Sequence, residues 1–445
     1  MPTASAVKSL PRSHPIFGHL HDFRRDPLGF LVAARQHGDI VRYQLGPQEA
    51  YFLSDPEHVR EVLVTQAAKL HKGRVLQRAR KVLGDGLLTS EGELHLRQRR
   101  MIQPVFHQKR IATYAEAMGR HAATLRDRWQ AGTTYDVHQE MMHLTLAIVA
   151  ETLFSADVAA EADEIGAALT ELLAMFDRIY VPLAWLTEKL PLPSTRRYQR
   201  ARARLDATIY RMIRARRASG EAHGDLLAML LDAQDEDDGR GMTDQQVRDE
   251  ALTLFLAGHE TTANALTWTF YLLSEHPDAE ARLHEEWRRV LGDRPPGLAD
   301  LPQLVETRRV LQESLRLLPP AWVIGRMAIA EVDLGVARIP AGAVVLVCPY
   351  TMHRDPRYFA DPERFDPDRW APEAVSERPK FSYFPFGGGP RVCIGEPFAW
   401  MEATLLLATL GQRWRLRLEP GHPVVKLPQI TMRPKFGMAM RVEAR

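Results

Sequence analysis

The chain is 445 residues long, 45% hydrophobic and 26% charged, with a net charge of +2. That is ordinary globular material with ample core, too near neutrality to argue for a nucleic-acid partner. Two cysteines, Cys348 and Cys393, exclude a disulfide framework and suit a reducing compartment. The first thirty residues mix Arg, His, Asp and Pro and lack an apolar run long enough for a signal peptide or anchor. The expectation is a cytoplasmic protein without a membrane anchor.

In chain order, a β-rich start is expected over residues 38–54, with Gly46-Pro47 as the turn. A helical body follows. It contains an apolar stretch at 82–88 that includes Leu87, then His95-Leu-Arg-Gln-Arg99, and later Pro182, Pro191 and Pro193, which interrupt a region holding Phe176. The charged loop 235–241 leads into a long helix from 243 to 275. Thr243 and Gln246 make a capping box, Asp244 suits the positive end of the dipole, and Pro277 supplies the stop. Such a helix spans ~50 Å and crosses a whole domain.

Mid-helix lies Ala257-Gly258-His259-Glu260-Thr261-Thr262, just after Phe255. Glycine costs roughly 1 kcal/mol in a helix interior and threonine can bond back to the chain, so a distorted turn is expected here. Further on, Glu313 and Arg316 stand at i and i+3, an ordinary helix pair on their own. After Pro319-Pro320 and Ala321 comes a second β region over 323–347, with Val323, Ile324 and Arg326 near its start. Cys348 follows it as a small buried hydrophobe. Pro362-Glu363-Arg364-Phe365 comes next, and a last hairpin is expected over 424–442, containing Ile430.

Chemistry concentrates in Phe386-Gly-Gly-Gly389-Pro-Arg391-Val-Cys393-Ile-Gly395, which wraps one cysteine in glycine just before an apolar periodic segment at 398–410. Glycine permits unusual dihedrals and close backbone approach, and N–H groups opening the next helix stabilise negative sulfur. Taken alone, the stretch is either a glycine-rich loop with an inert cysteine or a loop presenting a thiolate to a metal. Its spacing favours the thiolate.

This stretch resembles the haem-ligand signature of the cytochrome P-450 family, F-x-x-G-x-R-x-C-x-G, matched at Phe386, Gly389, Arg391, Cys393 and Gly395. The family's other motifs follow in its own order: an oxygen-helix motif at residues 257–262, E-x-x-R at Glu313 and Arg316, and P-E-R-F at residues 362–365. The resemblance covers nearly the whole chain. It implies an α+β fold, mainly helical with a smaller β region and a long central helix over a haem. A length prior of ~150 residues per domain would divide the chain into about three; the resemblance implies one domain, 1–445.

By the same resemblance, Cys393 is the axial ligand of haem b (iron protoporphyrin IX). Arg99, Arg326 and Arg391 hold its propionates, and His95 stands where many members carry Trp. Phe386 packs beside the ligand loop, and Gly258 lets the long helix open beside the haem. Thr261 and Glu260 guide protons to dioxygen, while His259 fills the motif's free position. Glu313, Arg316 and Arg364 form a charged network behind the loop. Leu87, Phe176, Phe255, Ala257, Ala321, Val323, Ile324 and Ile430 line a substrate pocket. Without the resemblance, Glu260 and Thr261 read as ordinary helix residues, each Arg as a solvated surface charge, and each apolar position as core.

The implied function is a bacterial haem-thiolate monooxygenase of secondary metabolism, acting as a monomer. It would hydroxylate or epoxidise a hydrophobic terpenoid, fatty acyl chain or polyketide, because the lining is apolar. Electrons come from NAD(P)H through a separate ferredoxin or flavodoxin and its reductase, with Arg97 and Arg100 as a basic face for that acidic partner. The rivals are a hydrogen-peroxide-dependent peroxygenase, whose members replace the Glu260-Thr261 pair, and a non-enzymatic haem gas sensor or electron carrier.

Overall fold

The computed structural model describes residues 7–11, 14–154, 193–219, 225–234 and 239–445. The chain forms two compact units from interleaved stretches: residues 1–77, 312–393 and 430–432 make the first, and 78–311, 394–429 and 433–445 the second.

The first unit is built on a six-stranded sheet in the order Lys8–Ser9, Ile40–Leu45, Gln48–Leu53, Val344–Val347, Ile324–Ala328, Leu70–Lys72. Gly46, at φ 64°, makes the tight turn that brings Leu45 opposite Gln48. Gln48–Leu53 then runs parallel to Val344–Val347, with Ala50 beside Val344. Ala50-Tyr51-Phe52-Leu53 and Val345-Leu346-Val347 are buried without alternation, as strands covered on both faces must be. Behind the sheet, Leu53, Val59, Leu63, Val345, Val347, Phe381 and Phe384 belong to one apolar cluster.

A buried ion pair stitches the distant segments of this unit together. Glu313 and Arg316, wholly inaccessible, pair at 2.8 Å. Arg316 spends its remaining N–H groups on the carbonyls of His353 (2.8 Å), Pro362 (2.6 Å) and Arg364 (3.0 Å). Glu313 also accepts from the Asp366 amide at 2.8 Å and the Trp370 indole at 3.0 Å. Arg364 therefore joins through its main chain, which corrects the reading that its charge completes the network. The second guanidinium beside Glu313 is that of Arg369, at 3.4 Å.

The second unit is helical around Asp244–Glu275. Thr243 caps this helix reciprocally with Gln246, as their spacing implies, and its 32 residues extend ~48 Å. Val137–Phe154 packs along it, and Glu396–Gly411 packs on Gln108–Arg128. Gly411 is required where the Trp287 ring presses in, since a Cβ there would lie 2.4 Å from the ring. The strand Ala439–Ala444 pairs with Trp414–Leu418 on one side and Thr134–Asp136 on the other. Within the expected hairpin range 424–442, Lys426–Pro428 pairs with Met432–Pro434, while Ala439–Ala444 takes its partners from outside it. Among the described residues no helix is long and apolar enough to cross a membrane.

Glu313→Ala leaves Arg316 buried with two N–H groups unanswered, and the expected cost is about 3–5 kcal/mol. Urea unfolding should show it as a lowered midpoint at unchanged slope; an unshifted midpoint would show that the pair does not organise this unit.

Candidate functional site

In the first unit, Gly388 and Gly389 are dictated by close packing, and Gly387 by its φ of 75°. Gly389 lies at φ 67°, and a Cβ there would sit 1.9 Å from the Leu63 carbonyl oxygen, in the π-helical turn Glu61–Thr65. A Cβ on Gly388 would meet the Phe381 ring at 2.5 Å. Only glycine lets the loop lie this close. The Gly387 amide then donates to the Phe384 carbonyl, and the Cys393 amide to the Phe386 carbonyl, each at 2.9 Å. Cys393 is left exposed, whereas Cys348 is buried with its thiol pushed up to about 11. One thiol is therefore presented and the other stored.

His353 joins the ion pair to this loop. Its carbonyl takes an Arg316 N–H, and its Nε2 accepts the Phe384 amide at 3.0 Å. Burial and the neighbouring Arg316 and Arg354 hold its pKa well below the ordinary value, so it stays neutral and able to accept. Arg391 is half-buried in the short turn Gly389–Arg391. Arg326, 9% exposed, stands in Ile324–Ala328 opposite Lys72 and Val345. Ile324 is in reach of the loop, because a Cβ on Gly387 would lie 3.6 Å from its Cδ1. Ala321 and Val323 are half-exposed beside it, and the Met432 amide binds the Pro320 carbonyl at 2.8 Å, which ties the segment carrying Ile430 to the same stretch.

In the second unit, the long helix is buried from Val247 to Leu273 except at Ala257, Gly258, Thr261 and Tyr271. The first three share one stripe, so the mid-helix opens on a single side. The helix is not distorted there, contrary to expectation: the α-helical hydrogen bonding continues, and the Thr261 hydroxyl donates to the Ala257 carbonyl at 2.7 Å. Gly258 serves packing instead, since a Cβ would approach Val149 to 3.0 Å. Glu260 and Phe255 are buried. His259 is buried too, and its Nδ1–H donates to the Phe255 carbonyl at 2.6 Å. Burial pushes its pKa down to about 4, which leaves a neutral imidazole.

His95 and Arg99 lie one turn apart on Gly92–Ile102, His95 buried and Arg99 half-buried. Arg97 donates to the Arg240 carbonyl at 2.9 Å, and Arg100 is exposed. Leu87 is buried, with its amide bonded to Glu250 at 2.8 Å. Phe176 lies outside the described residues. Two residues that motif spacing does not reveal matter here. His353 could be suspected only as a polar residue just beyond an apolar strand. Glu402, wholly buried on Glu396–Gly411 with the Thr262 hydroxyl beside it, has its pKa pushed up to about 8 by burial.

The donor set fits a haem: a soft, accessible thiol for iron and guanidinium forks for carboxylates. Comparison with known proteins points the same way. A profile of the family described as cytochrome P450 matches residues 9–439. Cyclooctatin synthase of Streptomyces melanosporofaciens is 45% identical over 95% of this chain and 92% of its own length. Pentalenene oxygenase of Streptomyces avermitilis is 37% identical over 98% and 97%. The crystal structure of the cytochrome P-450DA haem domain superposes with a TM-score of 0.88 at 28% identity, covering 99% of this chain and 98% of that one.

Glu402 gives a pH signature. Its folded pKa of about 8 exceeds its ordinary 4.5, so its stabilising share is full below 4.5 and is lost as pH rises towards 8. His259, held at about 4 against an ordinary 6.5, acts oppositely and only below 6.5. Between pH 6.5 and 8 the parent should therefore lose up to about 1.4 kcal/mol per pH unit, a slope that Glu402→Gln should abolish in urea unfolding. Parallel slopes would show that Glu402 does not carry it.

Proposed function

This chain belongs to the cytochrome P-450 family, and on that premise we propose that it is a monooxygenase that hydroxylates or epoxidises a cyclic terpenoid. The reaction consumes dioxygen, two protons and two electrons, places one oxygen atom in the substrate and releases the other as water. The exposed Cys393, in a loop whose glycines are sterically obligatory, carries this reading. The names of the two Streptomyces relatives support the terpenoid class, and the apolar character of Leu87, Phe255, Ala257, Ala321, Val323, Ile324 and Ile430 suits a substrate held by burial.

Bound haem supplies the activation of dioxygen and the oxygen-atom transfer. Cys393 would hold the iron through its thiolate, and Arg99, Arg326 and Arg391 would pair with the propionates. Thr261 offers a switchable hydroxyl: with its proton on the Ala257 carbonyl, it turns acceptor lone pairs to the open side of the helix, and by rotating it becomes a donor there. Glu260 relays protons to it. The neutral His259 keeps a second charge off this helix turn. Electrons arrive from NAD(P)H through a separate ferredoxin or flavodoxin with its reductase, in the cytoplasm, and the exposed Arg100 suits an acidic partner.

The reduced, carbon monoxide-treated protein should show a red-shifted Soret band that disappears in Cys393→Ser; a protein that takes up no haem would overturn the proposal. Thr261→Ala should keep consuming reductant while product per reductant falls roughly tenfold or more and peroxide appears. Unchanged coupling would remove Thr261 from proton handling.

A further inference from the structure

Arg248, Asp249 and Glu250 are consecutive on the long helix, ~100° apart, so they cannot share one solvated face. All three are buried, at 2%, 4% and 0% exposure. Burying three charges is costly unless each finds partners. Besides Asp206 and the helix's own Gln245, the partners lie in residues 82–90, a segment without helix or strand from 84 onward. Asp249 accepts the Asp85 amide at 2.8 Å, and Glu250 accepts the Leu87 amide at 2.8 Å. Arg248 reaches the Val82 carbonyl at 3.3 Å while pairing with Asp206 and with Asp249. From the other side, Gln98 donates to the Asp85 carbonyl at 2.6 Å.

The segment is also shaped to lie flat on the helix. Gly84, at φ 71°, leaves no room for a side chain, since a Cβ would fall 2.1 Å from the Asp249 carboxylate. A Cβ on Gly86 would fall 2.2 Å from the Thr253 hydroxyl. Within the segment, Thr89 closes the turn on the Gly84 carbonyl at 2.6 Å. The two carboxylates thus answer alternate amides, of Asp85 and Leu87, in a stretch that would otherwise have to leave them unpaired or hydrated.

We infer that Asp249 and Glu250 are positioning residues whose carboxylates latch residues 84–90 onto the long helix and thereby set the size of substrate the enzyme accepts. The second half of this inference rests on the proposed function, which puts Leu87 against the substrate. A latch on the main chain suits that role, because it fixes where the Leu87 side chain sits without exposing a charge to an apolar substrate. Glu286 is the natural control, since it is an equally buried acid that accepts the amides of Glu306 and Thr307 at a helix start and has no bond to the segment.

The test uses the full haem-loaded chain and three variants, Glu250→Ala, Glu250→Gln and Glu286→Ala. Hydrogen exchange is followed over residues 82–90, and affinities for geraniol, farnesol and geranylgeraniol are read from spin-state shifts. Glu250→Ala should speed exchange of the segment about tenfold or more and shift the geraniol-to-geranylgeraniol affinity ratio several-fold. Glu250→Gln, which keeps an acceptor oxygen, should fall between it and the parent, and Glu286→Ala should lose stability while changing neither readout. Exchange no faster in Glu250→Ala than in Glu286→Ala would overturn the latch. Faster exchange with the parent's affinity ratio would overturn its role in substrate size. Absence of a thiolate-type carbonyl spectrum in the parent would instead overturn the proposed function, and the exchange comparison would still decide the latch.

Discussion

Arg316 is wholly buried, and each of its five N–H groups has an acceptor: two on Glu313 and one each on the carbonyls of His353, Pro362 and Arg364. A guanidinium cannot shed its charge, so a chain that buries one must bring acceptors to it from wherever they lie. Here that requirement gathers residues 313–366 around one point. Because His353 also accepts the Phe384 amide, the same constraint extends to the backbone that introduces the cysteine loop. Such a pair adds little net stability over apolar packing, but it admits few geometries.

The cysteine loop meets this fixed backbone at its start and the π-helical turn at its middle, with no space for a side chain at Gly389. Cys393 stays exposed four residues beyond that contact. The long helix solves a comparable problem by burial. A helix covered on nearly every side can be opened at one stripe, Ala257, Gly258 and Thr261.

Much of this was legible in advance. The capping box of Thr243 and Gln246 and the stop before Pro277 mark the long helix, because capping is local chemistry written in adjacent residues. The turn at Gly46 and the two strands beside it are equally local. The expected distortion at Gly258 did not occur, because propensity treats glycine as a weakness of its own helix. The glycine answers a neighbour, Val149, whose approach no local pattern encodes. Arg364 was misassigned for a related reason: its motif specifies position in the chain but not whether side chain or carbonyl makes the contact.

The sequence by itself determined the family, the ligand cysteine's candidacy and the long helix that accompanies it in the motif order, since residue type and spacing carry those. Tertiary structure alone decided that His353 links the ion pair to the loop, that Leu63 and Phe381 make its glycines obligatory, and that Asp249 and Glu250 answer the amides of Asp85 and Leu87. Each depends on which distant group lies within about 3 Å of a buried polar atom, and that is a property of the packed chain.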